Sequence, residues 1–332
     1  MAEKGIDYYV QGVTGGSRLV MAKTITLIES ILPEHQETAQ AVLDALLPYT
    51  GKAVRLGITG VPGAGKSTFI ESFGTMLTEK GHRVAVLAVD PSSPRTGGSI
   101  LADKTRMEKL STSERAFIRP SPSGGTLGGV ARKTRETMMI CEAAGYDVIL
   151  VETVGVGQSE VAVASMVDFF LVLMIAGAGD ELQGIKKGVL ELADAIAVNK
   201  ADGDNVERAK LARAQYETAM HLLSPPSPDW STPVLLCSSL TGAGLEEIWD
   251  VVLKHRRIMN DKGELERKRS EQSRLWMWAL VKEGLEAWFA RNAQVVNLLP
   301  LIEKEVVGGK ITATSGAARI LSFLQNYSIT VT

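Results

Sequence analysis

Cysteine is scarce in this sequence, and its histidines are scattered. Only two cysteines, Cys141 and Cys237, occur in 332 residues, and neither belongs to a CxxC or Cys/His pattern. A disulfide framework needs more cysteines, and a structural zinc site needs closely spaced ligands. The four histidines also lack metal-ligand spacing. The sequence therefore argues against both kinds of site and favours a reducing compartment.

Long apolar runs and a large charge excess are also missing. The opening residues, MAEKGIDYYV, contain no apolar segment of a secretory signal. The most apolar stretch, 169–178, covers about ten residues, half of what a membrane span needs, and is interpreted as a buried strand. The net charge is −2, so we expect neither nucleic acid nor a membrane as a partner. These features predict a cytoplasmic protein.

Short apolar runs alternate with helical patterns through the centre of the chain. This alternation is typical of βα units in an α/β fold with a mostly parallel central sheet. The runs are rich in Val, Ile and Leu without polar alternation, as strands covered on both faces are. The predicted strands are Val54–Thr59, Val84–Asp90, Ala116–Arg119, Val148–Glu152, Phe169–Ile175, Ala195–Asn199 and Val234–Cys237.

Helical patterns dominate both ends of the chain. The predicted helices are Ser17–Leu32 and Glu34–Leu47 before the sheet, and Leu245–Arg257, Leu275–Arg291 and two shorter helices after it. The charged run Lys254–Arg274 is interpreted as a solvated helical face. We therefore divide the chain into a helical N-terminal extension (1–50), a central α/β domain (51–258) and a helical C-terminal extension (259–332).

A glycine-rich segment follows the first predicted strand and opens a predicted helix, Ser67–Lys80. It matches the pattern G-x-x-x-x-G-K-[ST]. Its backbone N–H groups can surround phosphates, Lys66 can reach the β and γ phosphates, and Ser67 can offer a hydroxyl to Mg²⁺. The flanking strand and helix disfavour the alternative, a turn without a ligand. We predict a P-loop NTPase. Its predicted phosphate-binding residues are Gly60, Val61, Pro62, Gly63, Ala64, Gly65, Lys66, Ser67 and Thr68.

A candidate base-reading motif, Asn199-Lys200-Ala201-Asp202, follows a later strand and matches the N-K-x-D pattern of GTPases. The Asp202 carboxylate can accept hydrogen bonds from the ring N–H and the exocyclic amine of guanine. Adenine would leave this carboxylate unpaired, so the motif favours guanine. We expect Lys200 to pack along the base and Asn199 to join this loop to the phosphate loop. Further predicted base contacts, which an ordinary loop would also explain, are Ser238, Ser239 and Leu240.

The turn Glu152-Thr153-Val154-Gly155 ends another predicted strand. In most GTPases this turn is D-x-x-G, with the acid near the metal and the glycine N–H on the γ-phosphate. Val156 follows Gly155 here, where Ras-type GTPases carry a glutamine that orients the attacking water. We therefore expect slow intrinsic hydrolysis that a partner accelerates. Gln158, two residues further on, is a candidate substitute for that glutamine.

Several longer stretches carry a family resemblance. They are DPSSP at 90–94, TGGSILADKTRM at 96–107, ETVGVGQSE at 152–160 and GAGDELQGIKKG at 177–188. These stretches resemble the MeaB/ArgK family of GTPases, in the G3E branch of P-loop GTPases, which includes the human methylmalonic aciduria type A protein. The resemblance covers about residues 18–323 and is most specific over 57–202.

The resemblance implies a biological role. Members of this family are dimeric chaperones of adenosylcobalamin-dependent acyl-CoA mutases, chiefly methylmalonyl-CoA mutase. They use GTP to gate cofactor loading and to exclude damaged cobalamin. The implied ligands are GTP or GDP and Mg²⁺, and the implied partners are such a mutase and a second copy of the chain.

The resemblance also implies roles for individual residues. Lys66 and Ser67 contact phosphate and Mg²⁺, while Asp90, Asp103 and Glu152 surround the metal and the attacking water. The implied catalytic residues are thus Lys66, Asp90, Asp103 and Glu152, and the implied metal ligands are Ser67, Asp90, Asp103 and Glu152. Taken without the resemblance, Asp90-Pro91 would also fit a turn that merely ends a strand.

Two regions are implied to respond to the nucleotide. Gly155 and Gln158 belong to the first, and Gly177–Lys187 is similar to the family's third switch. There, Asp180 and Lys186 would couple the nucleotide state to the mutase. Solvated loop charge is the alternative interpretation of these two residues.

An apolar face near helical spacing lies in the C-terminal extension: Leu275, Trp278, Leu285, Trp288 and Phe289. A core face within the chain would explain it. The family resemblance implies instead that the C-terminal extension builds the homodimer, which would bury part of this face.

Two other functions compete with the mutase chaperone. One is a kinase or ATPase associated with lysine/arginine/ornithine transport, which older annotation of the family suggests. The N-K-x-D motif disfavours ATP as its donor. The other is nickel delivery by a G3E relative, and the His-rich or Cys-bearing metal site of such proteins is missing from this sequence.

Overall fold

The computed structural model describes residues 5–89, 107–120, 127–153, 159–177, 187–222 and 227–325. The chain divides into two compact units, Met1–Arg269 and Ser270–Thr332. The first unit contains the sheet, and the described part of the second, residues 270–325, is mostly helical.

A seven-stranded, entirely parallel sheet forms the centre of the first unit. Its strands are β1 (Val54–Gly60), β2 (Val84–Val89), β3 (Ala116–Arg119), β4 (Val148–Thr153), β5 (Phe169–Ile175), β6 (Ala195–Asn199) and β7 (Val234–Leu236). The order across the sheet is β3-β2-β4-β1-β5-β6-β7. The central strands are buried on both faces, which explains why their sequences are mostly apolar without polar alternation. All seven strands were predicted, with ends that differ by at most one residue.

Strand β1 occupies the middle of the sheet, between β4 and β5. Leu56 lies opposite Leu150 on one side and Phe169 on the other. The chain leaves β1 for β2 by crossing over the position of β4. Ligands of such sheets bind outside the carboxyl ends of the strands, near the point where the order reverses. The loop after β1 is therefore the expected place for a ligand.

Thirteen α-helices surround the sheet or follow it within the described ranges. They are α1 (Ile6–Thr14), α2 (Arg18–Glu29), α3 (Pro33–Leu46), α4 (Lys66–Glu79), α5 (Glu108–Thr112), α6 (Leu127–Ala143), α7 (Ser159–Ala164), α8 (Lys187–Glu191), α9 (Val206–His221), α10 (Leu245–Asp261), α11 (Glu264–Arg291), α12 (Ala293–Val307) and α13 (Ala313–Gln325). None of them combines the length and apolar character needed to cross a bilayer.

The N-terminal helices pack into the core of the first unit. Val13, Ile25 and Val42 are fully buried in the same core as the sheet. Arg18 donates a 2.6 Å hydrogen bond to the carbonyl of Ala116, the first residue of β3. Helix α2 ends at Glu29, three residues before the predicted end. Helix α1 was not predicted.

Helix α11 is continuous from Glu264, so it begins well before the predicted start at Leu275. The interpretation of the whole preceding charged run as solvated was wrong, because Arg269 is a largely buried ion-pair partner of Asp168. In the second unit, α12 and α13 pack closely: a Cβ at Gly316 would lie 2.8 Å from a methyl of Val306. Arg319 and Glu305 form a 3.0 Å ion pair between the same helices.

Candidate nucleotide-binding site

The phosphate loop, residues 60–67, joins β1 to α4. Its glycines Gly60, Gly63 and Gly65 have φ values of 155°, 79° and 84°. A Cβ at Gly60 would lie 2.3 Å from the carbonyl oxygen of Leu173 in β5, so no larger residue fits. Gly65 is the N-cap of α4 and supplies no side-chain acceptor to the helix. The first N–H groups of α4 are therefore suited to an anion.

Some residues of the phosphate loop are buried and support it, and others are exposed to solvent. Val61 and Ala64 are buried, which fixes the loop against the core. Pro62, Gly63 and Thr68 are exposed. The loop therefore combines a buried support with an accessible outer side.

Lys66 and Ser67 bring charge and a hydroxyl to the start of α4. The Lys66 ammonium donates to the Gly60 carbonyl at 2.9 Å. Burial lowers the pKa of Lys66, and the negative charges of Glu152 and Glu160 oppose this shift. The Ser67 hydroxyl lies 3.4 Å from Oε1 of Glu152, at the end of β4. This hydroxyl and carboxylate form a hard-oxygen donor pair of the kind that Mg²⁺ prefers.

Asn199 joins three loops at the carboxyl edge of the sheet. Its amide nitrogen donates to the carbonyl of Ala64 in the phosphate loop at 2.8 Å. Its amide oxygen accepts from the Ser239 backbone N–H at 3.0 Å and from the Ser239 hydroxyl at 2.9 Å. Asn199 is only 1% exposed. Since both ends of the buried amide are used, these loops are held in one arrangement.

Asp202 is held by the loop after β7. The Ser238 hydroxyl donates to Oδ2 of Asp202, and it accepts from the Thr241 backbone N–H at 3.1 Å. The Ala201 N–H donates to the carbonyl of Cys237 at 3.0 Å. Two neighbouring loops therefore fix the position of the carboxylate. Leu240, in the second of them, is 82% exposed.

Lys200 adopts a left-handed backbone, with φ of 61°, which is rare for a residue that bears a side chain. Its Cε lies 3.9 Å from the position that a Cβ at Gly65 would occupy. The Lys200 stem therefore extends from the base-reading motif toward the phosphate loop.

A buried pair of hydroxyls, Thr59 and Thr153, was not predicted. Thr59 is the penultimate residue of β1 and Thr153 is the last residue of β4, and their side chains form a 2.7 Å hydrogen bond. Their neighbours Gly60 and Glu152 belong to the site. The pair therefore fixes the ends of β1 and β4 behind the phosphate loop. The sequence signal was weak, because single threonines in apolar strands are common.

Part of the predicted site lies outside the described residues: Asp90, Asp103, Gly155, Gln158, Asp180 and Lys186. Of the predicted metal ligands, the structure places Ser67 and Glu152 together. Within the described ranges, no group of three or more His, Cys, Asp or Glu side chains is arranged to hold a metal ion.

Comparison with known proteins identifies the family. The sequence profile described as "Methylmalonyl Co-A mutase-associated GTPase MeaB" matches residues 21–294. This chain belongs to the MeaB family. As a MeaB-family protein it is a GTPase, which agrees with the phosphate-loop and N-K-x-D motifs.

Individual relatives cover nearly the whole MeaB-family chain. A putative GTPase from Caulobacter vibrioides is 56% identical over 317 residues, 96% of this chain and 97% of its own. The mouse "Methylmalonic aciduria type A homolog, mitochondrial" is 45% identical over 96% of this chain and 79% of its own. A solved structure described as "LAO/AO transport system kinase" has 39% identity and a TM-score of 0.80, covering 98% and 99% of the two chains. This likeness confirms the predicted P-loop α/β fold.

Proposed function

We propose that this MeaB-family GTPase binds GTP and GDP with Mg²⁺ and thereby gates adenosylcobalamin loading into a methylmalonyl-CoA mutase-type enzyme, which it also protects. The buried Asn199 amide carries the guanine part of the proposal, because it links the Asp202 loop to the phosphate loop. The family description and the mouse relative's name support the mutase part. The two free, buried cysteines are compatible with our assignment to the cytoplasm.

The residues at the start of α4 are suited to holding a nucleotide triphosphate. Lys66 and the N–H groups of the phosphate loop bind the phosphates, and Ser67 and Glu152 hold Mg²⁺, with Asp90 and Asp103 completing the acidic set. Bound Mg²⁺ neutralises the charge that develops on the phosphates. Since Val156 stands where Ras-type GTPases carry glutamine, intrinsic hydrolysis is slow and the mutase accelerates it.

Side-by-side titration with GTP and ATP tests the nucleotide proposal. The protein should prefer GTP strongly, and equal affinities would refute the assignment of Asp202. Glu152→Gln should weaken the Mg²⁺ dependence of GTP binding. Glu79→Gln is the matched control, because it makes the same change at the exposed far end of α4. An equal change in both variants would remove Glu152 from the metal site.

The chaperone proposal predicts that mutase binding depends on the nucleotide. A purified adenosylcobalamin-dependent mutase should bind the protein differently with a non-hydrolysable GTP analogue and with GDP. Lys186→Ala should reduce that difference without changing GTP affinity, since Lys186 is assigned to coupling. Mutase affinity that is the same with both nucleotides would contradict the proposal.

Apolar side chains exposed in the second unit support a homodimer. Trp278 is 51% exposed and Leu285 is 58% exposed on α11. Leu275, 55% exposed, falls on the same helical face as these two residues, and an exposed apolar patch is typical of a surface that a partner covers. Trp278→Lys should therefore yield monomers in light scattering, while Glu283→Lys, which changes an exposed polar residue, should not. If Trp278→Lys is still a dimer, this face of α11 is not the dimer interface.

A phosphotransferase associated with lysine/arginine/ornithine transport is the second candidate. The name of the similar solved structure favours it. Incubation with γ-labelled GTP and a transport binding protein distinguishes the two. Label on the protein would support the kinase, and label released as free phosphate supports the GTPase chaperone.

A further inference from the structure

Ser72 makes a contact that the sequence motifs do not account for. It lies in α4, past the phosphate loop, and is partly buried. Its hydroxyl donates a 2.6 Å hydrogen bond to the backbone carbonyl of Ser239, in the loop after β7. The phosphate-binding helix is thus joined directly to the loop next to Asp202.

This contact closes a ring of hydrogen bonds. Ser239 donates through its N–H and its hydroxyl to the Asn199 amide oxygen. The Asn199 amide nitrogen donates to the Ala64 carbonyl, and Ala64 leads into α4 through Gly65, whose carbonyl accepts from the Phe69 N–H at 2.8 Å. Helix α4 then returns to Ser72. The base-reading loops and the phosphate-binding helix therefore share one closed network.

The loop that Ser72 holds also positions the carboxylate assigned to guanine. Ser238 precedes Ser239 and donates its hydroxyl to Asp202. The same loop is closed by a bond from the Gly242 N–H to the Ser238 carbonyl at 2.9 Å. A shift of this short, closed turn would move Ser238 and Ser239 together. Loss of the hydrogen bond from Ser72 to Ser239 should therefore shift both the Asp202 carboxylate and residues 238–240, which are predicted to contact the base.

We propose that Ser72 is a positioning residue for guanine recognition, which fixes the 238–240 loop against the phosphate-binding helix. This inference rests on the proposed guanine pocket. Ser72 acts through Ser239 and is separate from Lys66, Ser67 and Glu152, the residues assigned to the phosphates and the metal.

Ser72→Ala in the full chain tests the proposal. Alanine is the best helix former, so α4 keeps its intrinsic stability. The KM for GTP should rise roughly three- to tenfold, the effect of one neutral hydrogen bond. At saturating GTP, kcat should be unchanged. With slow chemistry, KM approximates the dissociation constant. The preference for GTP over ATP should fall by the same factor.

Two variants control for a purely structural effect. Thr78→Val removes a buried hydroxyl from the same helix, which donates to the Thr75 carbonyl at 2.9 Å within that helix. It should leave the KM for GTP unchanged. Ser72→Thr keeps the hydroxyl and should restore the KM of the native protein.

Three outcomes would overturn the proposal. In the first, Ser72→Ala leaves the KM for GTP and the nucleotide preference unchanged. In the second, it weakens GTP and ATP equally, which indicates a general structural role. A native protein that does not distinguish GTP from ATP would refute the guanine pocket itself, so the two failures can be told apart.

Discussion

Arg269→Ala should destabilise the protein strongly without weakening nucleotide binding. Arg269 lies near the start of α11, and its guanidinium contacts both carboxylate oxygens of Asp168, at 2.8 and 2.6 Å. It also donates to the carbonyls of Gly51 and Ala53, before β1. One side chain thus joins α11 to the amino ends of β1 and β5.

The size of the effect follows from the burial of Asp168, whose side chain is 4% exposed. Without Arg269, the carboxylate keeps the Arg55 backbone N–H at 3.0 Å and the more distant charge of Arg55, but it loses its ion-pair partner. Removing one partner of a buried ion pair costs about 3–5 kcal/mol. At about 2–4 °C per kcal/mol for a unit of this size, the melting temperature should fall by roughly 6–20 °C.

Lowering the pH should reduce the difference in melting temperature between the native protein and Arg269→Ala. Burial alone would raise the pKa of Asp168, but the hydrogen bonds and charges of Arg269 and Arg55 hold it below its usual value. The ion pair therefore contributes fully above the unfolded-state pKa of about 3.9, and its contribution is lost as the pH falls below that value. Native and variant melting temperatures should begin to converge as the pH falls below about 3.9.

Thermal unfolding followed by circular dichroism, at one protein concentration, measures the effect. Arg267→Ala is the control, because the Arg267 pair with Glu264 in the same helix is exposed, and it should leave the melting temperature nearly unchanged. Affinity for GDP should be the same in all three proteins. If Arg269→Ala destabilised no more than Arg267→Ala, the argument from burial would be wrong.

Three further changes have defined outcomes. Burial lowers the pKa of His255, although the nearby charge of Asp194 opposes this shift. The unfolded chain therefore takes up a proton on His255 that the folded chain does not. For this reason, the stability of the fold should fall as the pH drops below about 6.5. His255→Gln should flatten that fall in urea unfolding between pH 7 and 5. Asp202→Asn should weaken GTP binding at least about 100-fold, because it removes a charged acceptor of two hydrogen bonds, and should favour xanthosine triphosphate in equilibrium titration. Burial raises the pKa of Cys237 to about 12 and also that of Cys141, so neither thiol should react with a disulfide reagent at pH 8 until denaturant is added.

Each of these results has a clear contrary outcome. An unchanged pH slope in His255→Gln would mean that another group titrates in this range. Xanthosine triphosphate that binds no better to Asp202→Asn than to the native protein would exclude a direct contact between residue 202 and the base. A fast-reacting thiol in the folded protein would contradict the burial of both cysteines.

Continuous patterns made the sheet and the loops of the site predictable. Short runs rich in apolar residues mark the strands, since a strand covered on both faces needs an apolar residue at nearly every position. The phosphate loop and Asn199–Asp202 are contiguous motifs, so short segments specify them. The family comparison confirms the fold that these patterns predicted.

Contacts between segments far apart in the chain could not be predicted from the sequence. Helix α1 carries Ile6, Tyr9, Val10 and Val13 at helical spacing, but it is only nine residues long, and so short a stretch is hard to identify by periodicity. Arg269 was interpreted as part of a solvated charged run, because its partner Asp168 is about 100 residues away and no local pattern links them. The Ser72 contact with Ser239 is similar, since a serine in an amphipathic helix gives no sign of its acceptor.

The edge of the sheet at the carboxyl ends of the strands and the edge at their amino ends have different roles in this fold. At the carboxyl edge, the site requires glycine-rich loops that can surround a nucleotide, and the Asn199 amide joins these loops to one another. At the amino edge, charged side chains are fixed by several bonds each, as the four donated by Arg269 illustrate. Because β1 and β5 connect both edges, the bonds of Arg269 fix the strands from which the loops of the site extend. Substitutions at the amino edge should therefore change stability, whereas substitutions at the carboxyl edge should change nucleotide affinity and selectivity.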